Sequence, residues 1–324
     1  MNVLILSAAS KVLLVRAFQA AVADFGGRVI AADVTADNAA LFAADAGLLL
    51  PRSDDPSFAD ALERAVKTHR ISLIVPTRDG EVALMAALKE RFGALGATIL
   101  APSPATAAIV QDKRRFVAFC AERGFPTARV FAPDERPDRF PAFARPAVGA
   151  GGRGAGPIAD LSAWSALGAA RKDLVIQEMI EAPEYTIDVL MDLAGRPVEA
   201  VTRRRLVVRG GEAVKSRVEA QPALRRVSLA LAEALGLVGH NVVQAFVIEG
   251  GDVRFIEVNP RFGGASNLSI AAGLDSPRRI VELLLGHDDA ARRARPIRIG
   301  LTMLRYSDDR LVNDAEFAAM ERAR

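Results

Sequence analysis

Short apolar runs alternate with helical stretches from the first residues of this chain, and that alternation restricts the folds open to it. The runs are VLILSA (3–8), RVIAADV (28–34), ISLIVPT (71–77) and ATILAPS (97–103). Helical patterns lie between them over 11–25, 38–46 and 80–92. Strands that are apolar on both faces must be covered on both faces, which is the situation of a parallel sheet flanked by helices. Residues 1 to 103 are therefore expected to form an α/β, doubly wound parallel-sheet domain.

The remaining length leaves room for more. With 324 residues, 51% of them hydrophobic and 25% charged, the chain can bury more than one core, and a second domain is expected. Net charge is only +3, which does not favour a nucleic-acid partner. The one dense basic run, 203 to 217, alternates with apolar residues as a strand does. Its Arg203, Arg205, Lys215 and Arg217 suit an anionic small substrate or a solvated strand face. A single cysteine, Cys120, rules out an intramolecular disulfide and a thiolate metal cluster. It sits among apolar helical positions, so a buried, inert thiol is expected, and a reducing cytoplasm is the simplest setting. The opening MNVLILSAAS lacks the basic stretch of a signal peptide and is too short to span a bilayer; no membrane partner is expected.

Asp33 ends the second apolar run, where a ribose-binding carboxylate would fall in a dinucleotide site. The first turn, Ser7-Ala8-Ala9-Ser10-Lys11, lacks the glycines that let backbone approach a pyrophosphate, so an NAD-linked oxidoreductase is not expected. PTRDGE (76–81) leaves a strand's carboxyl end carrying two acids, a usual ligand position in such sheets; Asp79 could equally cap a helix.

Further along, NVVQAFVIEGGDVRFIEVNP (241–260) has the form of a β-hairpin turning at Gly250-Gly251. Pairing Glu249 with Asp252 sets Gln244 opposite Glu257. Strict alternation then puts Val253, Phe255, Glu257 and Asn259 on one face, opposite Ile248, Phe246 and Gln244. Gln244, Glu257 and Asn259 are oxygen donors suited to a hard cation such as Mg²⁺; a simple cross-hairpin hydrogen bond is the alternative. Upstream, GAGGRGAG (149–156) follows a strand and can offer successive backbone N–H groups to phosphate oxygens. It lacks the Gly-Lys-Ser/Thr ending of a P-loop. Arg145-Pro146 just before it, and Lys113 further back, supply two cations to neutralise phosphate charge.

Taken in order, these pieces resemble the ATP-grasp ligases, especially single-domain relatives of the carbamoyl phosphate synthase large chain. PTRDGE resembles part of the family's preceding α/β domain, and Asp112-Lys113 its first phosphate-binding cation. RPAVGAGGRGA resembles the cation-plus-glycine-loop signature, with Arg145 where most members carry lysine. QEMIEAPEYTIDV resembles the nucleotide hinge, and QAFVIEGGDVRFIEVNPR the metal hairpin. The resemblance implies ATP contacts from Lys113, Arg145, Gly149, Gly151, Gly152, Gly154, Gln177, Glu178, Met179 and Ile180, with Glu184 on the ribose. It implies metal ligation by Gln244, Glu257 and Asn259, holding Mg²⁺ or Mn²⁺ in its place, with Gln244 standing where many relatives have an acid. Arg261, with Arg145 and Lys113, would meet the transferred phosphoryl group.

The implied layout is a first α/β domain (1–103), a small ATP-grasp subdomain with a glycine-rich lid (104–180), a large subdomain carrying the metal hairpin (181–306), and a charged tail (307–324), expected to be a loosely held helix. The implied reaction joins a small-molecule carboxylate to an amine through an acylphosphate, releasing ADP and phosphate, in a cytoplasmic homodimer. Phosphorylation of bicarbonate or carbamate, and a nucleotide-binding module without turnover, are the alternatives. Of three scattered histidines, only His240 falls where it could face this site.

Overall fold

In the computed structural model, which describes residues 1–149, 152 and 154–322, three sheets account for the chain. The first contains β1 (Asn2–Ile5), β2 (Val29–Asp33), β3 (Ala46–Leu49), β4 (Ile71–Val75) and β5 (Thr98–Ile99). Its helices are α1 (Val12–Ala23), α2 (Ala39–Ala43), α3 (Phe58–His69) and α4 (Val82–Gly93). All pairings in this sheet are parallel. The expected alternation is present, with one β-α unit more than anticipated. AGLL forms β3, and α3 follows with Phe58, Ala61, Leu62, Ala65 and Val66 buried along one stripe. That spacing, i, i+3, i+4, i+7, i+8, is the stripe of an amphipathic helix.

Two helices, α5 (Pro104–Gln111) and α6 (Lys113–Arg123), lead into a small antiparallel sheet. It comprises β6 (Val130–Phe131), β7 (Ala142–Pro146), β8 (Gly156–Ile158) and β9 (Leu174–Glu178), in the order β6-β9-β7-β8, with α7 (Leu161–Ala166) before β9. The large antiparallel sheet then begins with β10 (Glu184–Met191), β11 (Pro197–Arg209) and β12 (Glu212–Val218). After α8 (Pro222–Ala234) come β13 (Gly239–Val247) and β14 (Val253–Asn259). Helices α9 (Ser266–Ser269), α10 (Ser276–Leu284) and α11 (Asp288–Arg292) precede β15 (Thr302–Leu304), giving the order β14-β13-β10-β11-β12-β15.

The large sheet separates two environments. One face buries Tyr185, Ile187, Val189, Val243, Ala245 and Phe255 under α6 and α8, together with Phe116 and Cys120. On the other face, Leu190, Val201 and Val218 join Val3, Ile5, Phe18, Val75 and Phe262 in a core shared with the parallel sheet. Cys120 is fully buried, and burial pushes its thiol up to about 12, as an inert structural cysteine requires.

The tail is held more firmly than its charge suggested. Asn313 and Glu316 form a capping box on α12 (Asp314–Ala318). Phe317 meets Phe42 edge to face at 5.0 Å, and β16 (Glu321–Arg322) adds a parallel strand beside β3. Charge composition hid these contacts because one aromatic residue and a two-residue backbone ladder make them.

Candidate active site

Strand alternation along β10 builds the floor of the site. With Tyr185, Ile187 and Val189 turned into the core, Glu184, Thr186 and Asp188 take the opposite face. Gln244 lies beside Thr186 on β13, and Glu257 lies beside Gln244 on β14. Glu257 Oε1 accepts hydrogen bonds from Gln244 Nε2 and Asn259 Nδ2, each at 3.1 Å. The expected trio is thus assembled.

The hairpin itself departs from the expected register. Gln244 pairs with Glu257 and Val242 with Asn259, but Ala245 pairs with Phe255, so Ile256 is the extra residue of a β-bulge. A bulge shifts the side-chain parity of the strand. Val253, Phe255 and Val258 therefore all enter the core, while Glu257 and Asn259 face the site. Phe255 and Glu257 do not share a face, because strict alternation fails at the bulge. The turn also differs: Val247 pairs with Val253, the Ile248 amide donates to the Asp252 carbonyl at 2.9 Å, and a three-residue connection, Glu249–Gly251, lies between Ile248 and Asp252. Gly250 and Gly251 adopt φ of 83° and 87°, a region that L side chains rarely enter.

The small sheet and α6 supply the facing cations. Asp112 caps α6 by accepting from the Arg114 amide at 2.8 Å, which puts Lys113 at the first helical position. Lys113 Nζ donates to the Gly149 carbonyl at 2.7 Å, tying it to the start of the glycine loop. Arg145, on β7, is buried, and its Nε has no hydrogen-bond partner among the described residues. Burial lowers the pKa of both Lys113 and Arg145, and Glu257 acts against that shift in each case. Lys113 on α6 and Arg145 on β7 therefore lie near enough to the large sheet for the Glu257 carboxylate to act on both. Gly149, Gly152 and Gly154 have φ of 135°, 68° and 71°, so the loop's path depends on glycine. Gly151 lies outside the described residues.

Strand β9 brings in Gln177, whose buried Oε1 also lacks a partner among the described residues. The Glu178 amide donates to the Arg129 carbonyl at 2.9 Å, and its carboxylate accepts from the Arg129 amide at 3.0 Å. Met179 and Ile180 follow in the connection to Glu184. Glu184 pairs with Arg205 at 3.2 Å; burial raises its pKa, with Arg205 opposing and Glu257 adding to the shift.

Several other candidates settle differently. Arg203 is 1% exposed and its Nε lies 2.6 Å from Asp188 Oδ2, so it serves a buried ion pair and is not available to substrate. Lys215 and Arg217 are exposed and lie on the other face of β12 from Ser216, which pairs with Arg205. The four basic residues of that run do not form one patch, because a strand sends neighbours to opposite faces. His240 is buried too: Nε2 lies 3.1 Å from Asp188 Oδ1 and 3.0 Å from Ser266 Oγ, and Nδ1 lies 2.8 Å from Ser276 Oγ. Its ring stacks on Phe262 at 4.1 Å. Asp33 accepts from the Ala9 amide at 2.8 Å and so braces the first turn.

One relationship was not legible beforehand. Asp79 does not cap a helix through its side chain; it grips Arg261 with a pair of hydrogen bonds from the far end of the chain. Nothing in either local sequence signals that contact.

As a metal site, the trio offers one carboxylate and two amides. Among the described residues there is no group of three or more His, Cys, Asp or Glu able to hold a metal. Such a set is too weak for zinc and fits a hard cation that draws its other ligands from phosphate and water. Rotating either amide by half a turn presents its oxygen in place of its nitrogen.

Comparison with known proteins bears on the fold that carries these residues. Residues 170–304 match the family described as "ATP-grasp in the biosynthetic pathway with Ter operon", and residues 3–100 match "PylC-like, N-terminal domain". Over residues 170–304 the chain is therefore similar to ATP-grasp proteins. Its fold is similar to biotin carboxylase from Campylobacter jejuni, at TM-score 0.70 and 18% identity over 92% of this chain and 73% of that one. It is similar to an L-amino acid ligase from Bacillus licheniformis, at TM-score 0.66 and 15% identity over 87% of this chain and 74% of that one. It also resembles pyruvate carboxylase from Rhizobium etli, at TM-score 0.70 and 19% identity over 91% of this chain; there it spans only 29% of the larger protein. Comparison with curated proteins gives no match. These folds stand beside the chain where its sequence pointed to the carbamoyl phosphate synthase large chain. No helix among the described residues is long and apolar enough to cross a membrane.

Proposed function

We propose that this chain is an ATP-dependent carboxylate–amine ligase that works through an acylphosphate and releases ADP and phosphate. The observation that carries the reading is that Lys113, tied to the Gly149 carbonyl, and Arg145, buried with a partnerless Nε, both lie within the influence of Glu257, which Gln244 and Asn259 flank. Cations placed there have a purpose when a polyanion lies between them and the acid.

In this reading the turn at Met179 and Ile180 meets the adenine edge, beside Gln177 and Glu178, and Glu184 accepts from the ribose hydroxyls. Lys113, Arg145 and the amides of Gly149, Gly151, Gly152 and Gly154 hold the phosphates. Gln244, Glu257 and Asn259 would hold Mg²⁺, or Mn²⁺ in its place. Held there, the ion would supply charge neutralisation to the nucleotide's phosphates.

A substrate carboxylate oxygen attacks the γ-phosphorus as the bond to the ADP oxygen breaks. Arg261, oriented by Asp79, and Arg145 stabilise the charge spread over the moving phosphoryl group. Closure of the glycine loop keeps water from the acylphosphate. The amine nitrogen then attacks the acyl carbon, phosphate leaves, and the amine gives up a proton. Both substrates are small molecules, and the assembly read with them is a cytoplasmic homodimer, to be tested by analytical ultracentrifugation.

The test is ATP-dependent phosphate release screened over carboxylate and amine pairs, with product mass confirming each hit. Dependence on amines supports the ligase reading. Dependence on bicarbonate alone would replace it with the carbamate-forming alternative, and no ADP release with any pair would leave a binding module.

A further inference from the structure

Strand β15 ends the large sheet, and among the described residues no strand lies beyond it. Its inner edge is spent on β12: the Val218 amide donates to the Leu301 carbonyl at 2.9 Å, and the Arg305 amide donates to the Val214 carbonyl at 3.0 Å. Antiparallel strands turn the backbone groups of alternate residues the same way, so those of Thr302, Leu304 and Tyr306 point outward, away from β12. A row of unpaired N–H and C=O groups is a template for a further strand. Two of the side chains it carries are large, apolar in body and in water: Leu304 is 66% exposed and Tyr306 82%.

The sheet face beside this edge is basic, and it holds the part of the Arg203-to-Arg217 run that the nucleotide site leaves unused. Lys215 lies opposite Leu304, Arg217 opposite Thr302, and Arg204 opposite Arg217 on β11. Two guanidiniums set directly across from each other repel, and neither they nor Lys215 form an ion pair among the described residues. Glu219, close by, is engaged by the Tyr185 hydroxyl at 2.7 Å. Arg204, Leu206, Arg217, Ile299 and Gly300 line a cavity of about 470 Å³ there. Just past Tyr306 the chain changes sign, with Asp308 and Asp309 exposed and outside any ion pair among the described residues. Within one copy these acids lie at the far end of β15 from Arg217, which pairs with its first residue.

We propose that a second copy of this chain occupies the edge, its β15 running antiparallel to the first about a twofold axis at Leu304, so that two large sheets join into one. Leu304 then meets Leu304 of the partner subunit, and Thr302 meets Tyr306 of the partner subunit. This register pairs all three outward residues; Gly300, at φ 84°, turns the chain off the edge, so a register shifted toward it leaves Tyr306 unpaired. Asp308 of the partner subunit comes beside Gly300, where the Arg217 guanidinium lies: a Cβ on Gly300 would be 3.6 Å from Arg217 Nη2. The basic face of each copy thus receives the acidic continuation of the other, twice over by symmetry. Strand β14 and its metal trio lie at the opposite edge of the sheet, so both candidate sites stay open. The proposal rests on the homodimer reading and names the surface that makes the dimer.

Position 304 pairs with itself only at a twofold axis, where the facing Cα atoms are about 5.5 Å apart and within disulfide reach. Cys120, the one cysteine, is fully buried, so an introduced thiol is read without background. Under mild copper-phenanthroline oxidation, the full chain carrying Leu304→Cys should form a reducible covalent dimer at least about tenfold faster than the chain carrying Leu13→Cys, an exposed position on α1. Thr302→Cys and Tyr306→Cys should each crosslink slowly alone and rapidly when the two are mixed. By sedimentation equilibrium, Arg217→Asp should weaken self-association about tenfold, and combining it with Asp308→Arg should restore the parent's value to within about threefold. A parent chain that sediments as a monomer at about 100 μM overturns the proposal and the homodimer reading together. A dimeric parent whose Leu304→Cys variant crosslinks no faster than Leu13→Cys overturns the surface and leaves the homodimer reading standing.

Discussion

Arg261 and Asp79, 182 residues apart, meet through two hydrogen bonds, 2.7 Å from Nε to Oδ1 and 2.5 Å from Nη2 to Oδ2. The contact joins the end of a parallel strand in the first sheet to the loop after the metal hairpin. It fixes a planar guanidinium in a single orientation, which a lone hydrogen bond would not do.

Asp79→Asn should therefore leave the fold intact and lower kcat, since Arg261 keeps its charge but loses its two-point hold. A fall of about tenfold or more is expected, with the ATP dissociation constant little changed. Steady-state kinetics checks this, and an unchanged kcat would show that Arg261 needs no second support.

Glu184→Ala should weaken nucleotide binding by about 1–3 kcal/mol, roughly fivefold to 150-fold in dissociation constant, as loss of a charged acceptor implies. Arg205 would lose its partner as well, so Glu184→Gln provides a milder comparison. Calorimetric titration with ADP reads both variants.

Asp188 governs stability, not turnover. Burial alone would raise its pKa, but the Arg203 guanidinium, with hydrogen bonding from His240, outweighs burial and holds the carboxyl well below the ordinary range. Its oxygens also accept from Ser266 at 2.6 Å and Ser269 at 2.5 Å. A folded-state pKa below the unfolded one contributes stability that is complete above about pH 4 and is lost as pH falls below that. Asp188→Ala, which leaves Arg203 buried without a counter-charge, should cost about 3–5 kcal/mol at neutral pH, measured by urea denaturation. The difference between variant and parent should shrink as the pH falls from about 4.

Much of this was legible in the sequence, and the rest was hidden for identifiable reasons. Alternation along β10 placed Glu184 with Thr186 and Asp188, and pairing arithmetic set Gln244 beside Glu257, because both are local properties of strands. The same arithmetic put Phe255 beside Glu257, which the bulge at Ile256 undoes; one residue of slack reverses a face. β3 was missed because AGLL is short and abuts a helix, and α3 was missed with it although its stripe from Phe58 to Val66 has helical spacing. The roles of Arg203, His240 and Asp79 were out of reach, since their partners come from other elements of the chain and no local pattern announces them.

Cys120 should resist alkylation in the native protein and react only on unfolding, because a thiol pushed up to about 12 and fully buried offers almost no thiolate at neutral pH. Mass spectrometry after a timed iodoacetamide pulse checks this, and rapid native labelling would contradict the core placement.

The central claim, that Glu257 anchors the ion-and-phosphate site, is tested most directly by ADP release from Glu257→Ala, once a productive substrate pair is in hand. The account predicts a folded protein by circular dichroism whose ADP release falls to background. Near-parental ADP release from that variant would contradict it.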